Sequence, residues 1–100
     1  MKPSTSRGKN ARIVYLAGDY DVRRTRELKG LLLAGGSTTS VIADCASVRF
    51  MDSTGLRALI EARLTLIDRG SQLRFRNVPE TLRTVFRVTG LDASFDEDPI

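Results

Sequence analysis

The stretch Ser40–Gly70, SVIADCASVRFMDSTGLRALIEARLTLIDRG, changes its periodicity partway along. Its first part, SVIADCA (Ser40–Ala46), is a short apolar run that reads as a strand of the kind found in a sheet covered on both faces. Its second part reads as a helix beginning near Leu56. Leu56, Leu59, Ile60, Arg63, Leu64 and Ile67 recur at steps of three and four, leaving Glu61, Asp68 and Arg69 elsewhere on the circumference. Gly70 is placed to stop that helix. Between the two parts lies FMDSTGL (Phe50–Leu56), where an aspartate, a serine, a threonine and a glycine stand in a row.

The same alternation of elements continues in both directions. Upstream, RIVYLAG (Arg12–Gly18) is β-branched and aromatic and reads as a strand, and DYDVRR follows as a charged loop. Leu28, Leu31 and Leu32 then recur at helical spacing from about Arg24 to Ala34, and Gly35-Gly36 closes the run. Downstream, QLRFR (Gln72–Arg76) alternates, which points Leu73 and Phe75 inward. Pro79 opens a third helix with Leu82, Val85 and Phe86 as its buried stripe, and Gly90 ends it. The tail, LDASFDEDPI, has room for one short strand. The order strand–helix, three times over with a closing strand, predicts a single small α/β domain over residues 12–100. Its sheet should be mostly parallel, with right-handed β-α crossovers. Residues 1–11 are basic and aperiodic, and read as a tail or a weak edge strand.

Composition narrows the function. One hundred residues suit one domain, and 41% hydrophobic with 28% charged residues is the profile of a globular chain. No apolar run reaches the roughly 20 residues of a membrane span, and no signal-peptide-like segment follows the basic start, so a cytoplasmic protein without membrane association is expected. The sequence holds no histidine and one cysteine, Cys45. Internal disulfides, cysteine-based zinc clusters and Ser-His or Cys-His nucleophiles are thereby excluded, and no Gly-rich phosphate loop suggests a cofactor. Cys45 itself reads as a small buried hydrophobe. The net charge of +4 is uneven, because Lys2, Arg7, Lys9, Arg12, Arg23, Arg24, Arg26 and Lys29 crowd the first part while Asp92, Asp96, Glu97 and Asp98 crowd the end. A basic segment without interleaved aromatics or a recognition motif does not point to nucleic acid.

In parallel sheets, functional groups gather beyond the carboxyl ends of the strands. Two loops are expected there side by side, Gly18–Asp21 and Met51–Gly55, both carrying acidic or hydroxyl groups. Asp52, Ser53 or Thr54 can each cap the coming helix, yet a cap needs only one of them. A hydroxyl at a helix start is also well placed to carry a phosphate, since free N–H groups and the dipole stabilise added negative charge.

GDYDV (Gly18–Val22), the strand at Val41–Ala46, FMDSTGL (Phe50–Leu56) and TVFRVTGL (Thr84–Leu91) resemble, in order and spacing, the STAS family and within it the bacterial anti-sigma factor antagonists. The resemblance covers roughly Arg12 to Asp96. It implies a β-α superhelix in which Ser53 is the phosphoacceptor, with Asp52 and Asp21 on the surface that contacts an anti-sigma factor serine kinase. It implies further that the unphosphorylated form binds the kinase and frees a sigma factor, that phosphorylation ends binding, and that a PP2C-type phosphatase restores it. On this reading the partner-binding set is Asp19, Asp21, Arg24, Asp52, Thr54, Gly55, Leu56 and Arg57, with no catalytic residue, metal or cofactor, in a monomer or weak dimer. Two departures stand out. Residues 1–10 match the family's first strand poorly, and Arg23 and Arg24 occupy loop positions where small or polar residues are more usual. These arginines can pair with Asp19 or Asp21, or select an acidic partner. The alternative reading keeps the fold and drops the switch, as a STAS scaffold or nucleotide-sensing module in a larger assembly.

Overall fold

The structure, a computed structural model, describes residues 11–34 and 40–95. The expectation of a basic tail therefore falls mostly outside the described residues, as does the Gly35-Gly36 stop, while Ala11 already belongs to the first strand. The elements are β1 (Ala11–Tyr20), a 3-10 turn (Val22–Arg24), α1 (Thr25–Leu33), β2 (Ser40–Met51), α2 (Ser53–Asp68), β3 (Leu73–Arg76), α3 (Glu80–Val88) and a second 3-10 turn (Leu91–Ser94). The three strands form a parallel sheet in the order β1-β2-β3, and Phe95 adds an isolated parallel bridge to Phe75. This is the small α/β domain that the element order predicts.

Both long strands run further than the apolar stretches Arg12–Gly18 and Ser40–Ala46, and β2 contains the reason. Tyr15 pairs with Asp44 but Ala17 with Ser47, and Gly18 pairs with Val48 but Asp19 with Phe50. At each shift β2 carries one residue more than β1, so its inward-facing side chains pass from Val41, Ala43 and Cys45 to Val48 and then Met51. Bulges of this kind bend and twist a strand locally. Here they bring Met51 level with Tyr20, the last residue of β1, with both side chains in the core. The DYDVRR stretch is thus strand as far as Tyr20, and the loop begins only at Asp21.

All three helices pack on one face of the sheet. Leu28 and Leu32 of α1, Leu59 and Leu66 of α2 and Phe86 of α3 join Val14, Leu16, Val41, Phe75 and Tyr20 in a single buried cluster. Phe75 and Phe86 meet edge-to-face with centroids 5.2 Å apart. Burying this cluster is the main driving force of the fold, at roughly 25 cal/mol per Å² of apolar surface. The opposite face departs from the expected sheet covered on both sides: none of the three helices lies over it, and Tyr15 is 69% exposed there. Asp44, on that face, is buried beneath Arg76 and Asn77, whose side chains donate to its Oδ2 at 2.9 and 3.1 Å.

The α2 stripe is also offset from the one expected. Gly55, Leu56, Ala58, Leu59, Ala62 and Leu66 are buried, whereas Leu64 and Ile67 are exposed. Ala58 and Ala62 let the helix lie close to its neighbours, and the larger aliphatics at 64 and 67 fall on the outer side. The helix stops are as read: Gly70 and Gly90 adopt φ of +81° and +83°, the left-handed conformation that ends α2 and α3. The C-terminal end of α1 is held differently, by Arg12 from β1, whose guanidinium donates to the carbonyls of Leu31 and Leu32 at 3.2 and 3.0 Å. A cation there complements the negative end of the helix dipole.

Candidate functional site

The carboxyl ends of β1 and β2 place the two expected loops side by side. The Asp52 N–H donates to the Tyr20 carbonyl at 3.2 Å, tying the start of α2 to the end of β1. Asp52 has extended backbone geometry and is the N-cap of α2. Its Oδ1 accepts from the backbone N–H of Thr54 at 3.0 Å and of Gly55 at 3.1 Å, and also from the Thr54 hydroxyl. These bonds hold the Asp52 carboxyl below the usual carboxylate range, the Thr54 hydroxyl first among them, while the negative charge of Asp21 opposes the shift.

The row of polar residues therefore divides its labour. Asp52 caps, and Thr54 is bound to the cap. Ser53, the first residue of α2, is exposed, and among the described residues its hydroxyl has no hydrogen-bond partner. Gly55 and Leu56 turn inward. A Cβ on Gly55 would stand 2.7 Å from both the Tyr20 carbonyl oxygen and Met51 Cγ, so the glycine accommodates the protein's own β1 backbone. Leu56 is a core residue, 8% exposed. Arg57, the next residue, faces solvent.

On the neighbouring loop Asp21 caps the first 3-10 turn, accepting from the Arg23 N–H at 3.0 Å and pairing with the Arg23 guanidinium at 2.8 Å. That side-chain contact, foremost, holds the Asp21 carboxyl low. Arg23 thus pairs with Asp21, as one of the readings of the sequence has it. Arg24 does not pair with either aspartate carboxylate. It stacks over the Tyr20 ring at 4.2 Å, donates to the carbonyls of Ala17 and Asp19 at 3.0 Å each, and pairs with Glu27 at 2.8 Å. With Tyr20, whose hydroxyl accepts from the Ala17 N–H at 3.0 Å, Arg24 satisfies backbone groups at the end of β1.

Asp19 completes the set from within β1, and its partner is one the sequence does not announce. Arg49 of β2 grips it through Nε at 3.2 Å and Nη2 at 3.0 Å. Phe50 and Val22 add exposed apolar surface from the same two chain segments, 52% and 66% exposed. The arginines stand further out than the acids they pair with: the Arg23 and Arg49 side chains are 84% and 76% exposed, against 26% and 44% for Asp21 and Asp19. The signal for Arg49 and Phe50 lay in the second bulge, which turns both outward and is invisible to period-two reading.

Among the described residues no helix is long and apolar enough to cross a membrane. The STAS family model described as "Mlab, STAS domain" matches residues 4–96. Among solved structures, the anti-sigma factor antagonist SpoIIAA in its unphosphorylated form is 21% identical, with a TM-score of 0.72 over 87% of this chain and 78% of that one. The phosphorylated form of SpoIIAA, the Bacillus cell fate determinant, gives 21% identity and a TM-score of 0.69 over 87% and 81%. A sulfate transporter family protein from Wolinella succinogenes is 24% identical, with a TM-score of 0.74 over 90% and 75%. At these identities the likeness is one of fold.

Proposed function

This chain belongs to the STAS family, and from that premise we propose that it is an anti-sigma factor antagonist switched by phosphorylation of Ser53. One observation carries the reading. Of the three polar residues opening α2, two are bonded to each other and to the helix backbone, and Ser53 alone presents a free, exposed hydroxyl. A phosphoryl group there adds about −1.5 to −2 charges without displacing any bond of the cap. It does so beside Asp52 and Asp21, on a surface where Val22 and Phe50 offer apolar contact. The unphosphorylated surface binds a serine-kinase anti-sigma factor and so frees a sigma factor for transcription. The phosphorylated surface releases the kinase, and a PP2C-type phosphatase resets it. No histidine exists to activate Ser53 as a nucleophile, and we assign the domain no catalysis of its own.

Phosphopeptide mass spectrometry on the protein recovered from its native host, across growth and stress conditions, tests this reading. Phosphate on Ser53 that rises and falls with conditions is expected. A Phe50–Arg57 peptide unmodified throughout would favour the second reading, a non-switching STAS module in a larger assembly. The likeness to the Wolinella transporter family protein gives that reading its footing.

A further inference from the structure

We propose that Arg57 is the phosphate-holding residue of this domain: a phosphoryl group on Ser53 is clamped by the Arg57 guanidinium one helical turn further along α2. The inference rests on Ser53 being the phosphoacceptor, and adds what the domain does with the phosphate. Ser53 and Arg57 stand at i and i+4 of α2, the spacing at which two side chains share a face and meet. Both are exposed, and among the described residues neither side chain has a hydrogen-bond or ion-pair partner.

The neighbouring guanidinium groups are already committed. Arg23 is paired with Asp21 at 2.8 Å, Arg49 with Asp19 at 3.0 Å, and Arg24 with Glu27 at 2.8 Å besides two backbone carbonyls. The nearest carboxylate along the helix, Glu61, is ion-paired with Lys29 of α1 at 2.8 Å, and Arg57 acts on it through its charge without a direct contact. Among these arginines Arg57 is thus the one that no carboxylate or carbonyl holds in a direct contact. A guanidinium and a phosphate match in a two-pronged, charge-assisted contact. The contact offsets the repulsion that Asp52 and Asp21 exert on the new charge.

Modification therefore alters the surface twice, adding an anion at position 53 and engaging the uncontacted guanidinium at position 57. A partner that uses Arg57 as a contact loses it in the same step, while α2 and its cap stay as they are.

The test uses the full chain with phosphoserine installed at position 53 during translation, so no kinase is needed. A 31P NMR titration reads the second ionisation of the phosphate, ordinarily near pH 6. We expect that ionisation to lie lower in the wild-type background than in Arg57→Ala, by about threefold in the protonation equilibrium, or ~0.5 pH. Arg57→Lys should recover part of the difference, and the Arg57 Nε–H resonance should move on phosphorylation. Equal titration in all three backgrounds, with an unmoved Arg57 signal, would overturn the clamp. That outcome is separate from the functional reading, which fails instead if Ser53 carries no phosphate in the host.

Discussion

The carbonyl oxygen of Tyr20 and the α-carbon of Gly55 face each other with no room for a side chain between them: a Cβ at position 55 would meet that oxygen at 2.7 Å. The last residue of β1 presses on the first turn of α2, and this contact sets the two loops of the site against each other. Because the obstructing atom is backbone, it cannot swing aside. Gly55→Ala is expected to cost about 3 kcal/mol, as overpacking does. In a domain of this size that is roughly 10–20 °C in thermal midpoint. A midpoint equal to wild type would contradict the close approach.

Acid should weaken the fold, and the direction follows from the carboxyl groups. Asp52 is held low by the Thr54 hydroxyl and the Gly55 N–H, and Asp21 by Arg23. At Asp44 burial pushes upward, but the Ala46 N–H, Arg76 and Asn77 outweigh it and the group is also lowered. A carboxyl whose folded pKa lies below its unfolded value contributes stability in full above the unfolded value, and loses it as pH falls through the folded one. With no histidine in the sequence, stability should be nearly level from about pH 5.5 to 8 and decline below about pH 4. Urea denaturation at a series of pH values checks this, and Asp52→Asn should shallow the acid slope. A transition centred near pH 6.5 would count against it.

The Asp44–Arg76 pair on the uncovered sheet face should matter more than surface ion pairs do. Asp44 is 6% exposed and also accepts from the Ala46 N–H at 3.0 Å and from Asn77. Asp44→Ala leaves three donors without their acceptor, at an expected cost of about 2 kcal/mol. Chemical denaturation measures it. A loss under about 0.5 kcal/mol, typical of an exposed pair, would mean that water replaces the carboxylate freely.

Cys45 should be inert while the domain is folded. Its side chain is fully buried in the β2 core face, and burial pushes the thiol up to about 12. Little reactive thiolate then exists near neutral pH. Labelling with iodoacetamide at pH 8 should follow global unfolding as denaturant is added. Rapid labelling of the native protein would contradict the placement.

Much of the domain was legible from local pattern because its helices and strands are locally consistent. QLRFR and the Leu82–Phe86 stripe obey simple periods, SVIADCA is legible as a strand though helices cover only one of its faces, and Gly70 and Gly90 sit where helices must stop. The readings failed where tertiary register decides. Two extra residues in β2 break the alternation after Ala46, so Val48 and Met51 turn inward and Arg49 and Phe50 outward. On α2 the larger side chains of Leu64 and Ile67 drew the predicted stripe away from Ala58 and Ala62, whose small size is what makes them the packing seam. In the site, the excess of polar groups at 52–54 was readable, since one cap cannot use three of them. The partners were not: Arg24 serves the backbone of Ala17 and Asp19, and Arg49 reaches Asp19 only because the second bulge sets Phe50 opposite it.

The central claim is that Ser53 controls binding without controlling folding. The most direct measurement is the affinity of the proposed partner, a serine-kinase anti-sigma factor from the same host, for wild type, Ser53→Ala and Ser53→Asp, with a thermal melt of each. Ser53→Ala should bind as wild type does and accept no phosphate. Ser53→Asp should bind at least about tenfold more weakly, a difference of about 1.4 kcal/mol, with all three melting together. Undiminished binding by Ser53→Asp, or weakened binding that tracks a fall in its melting temperature, would contradict the account.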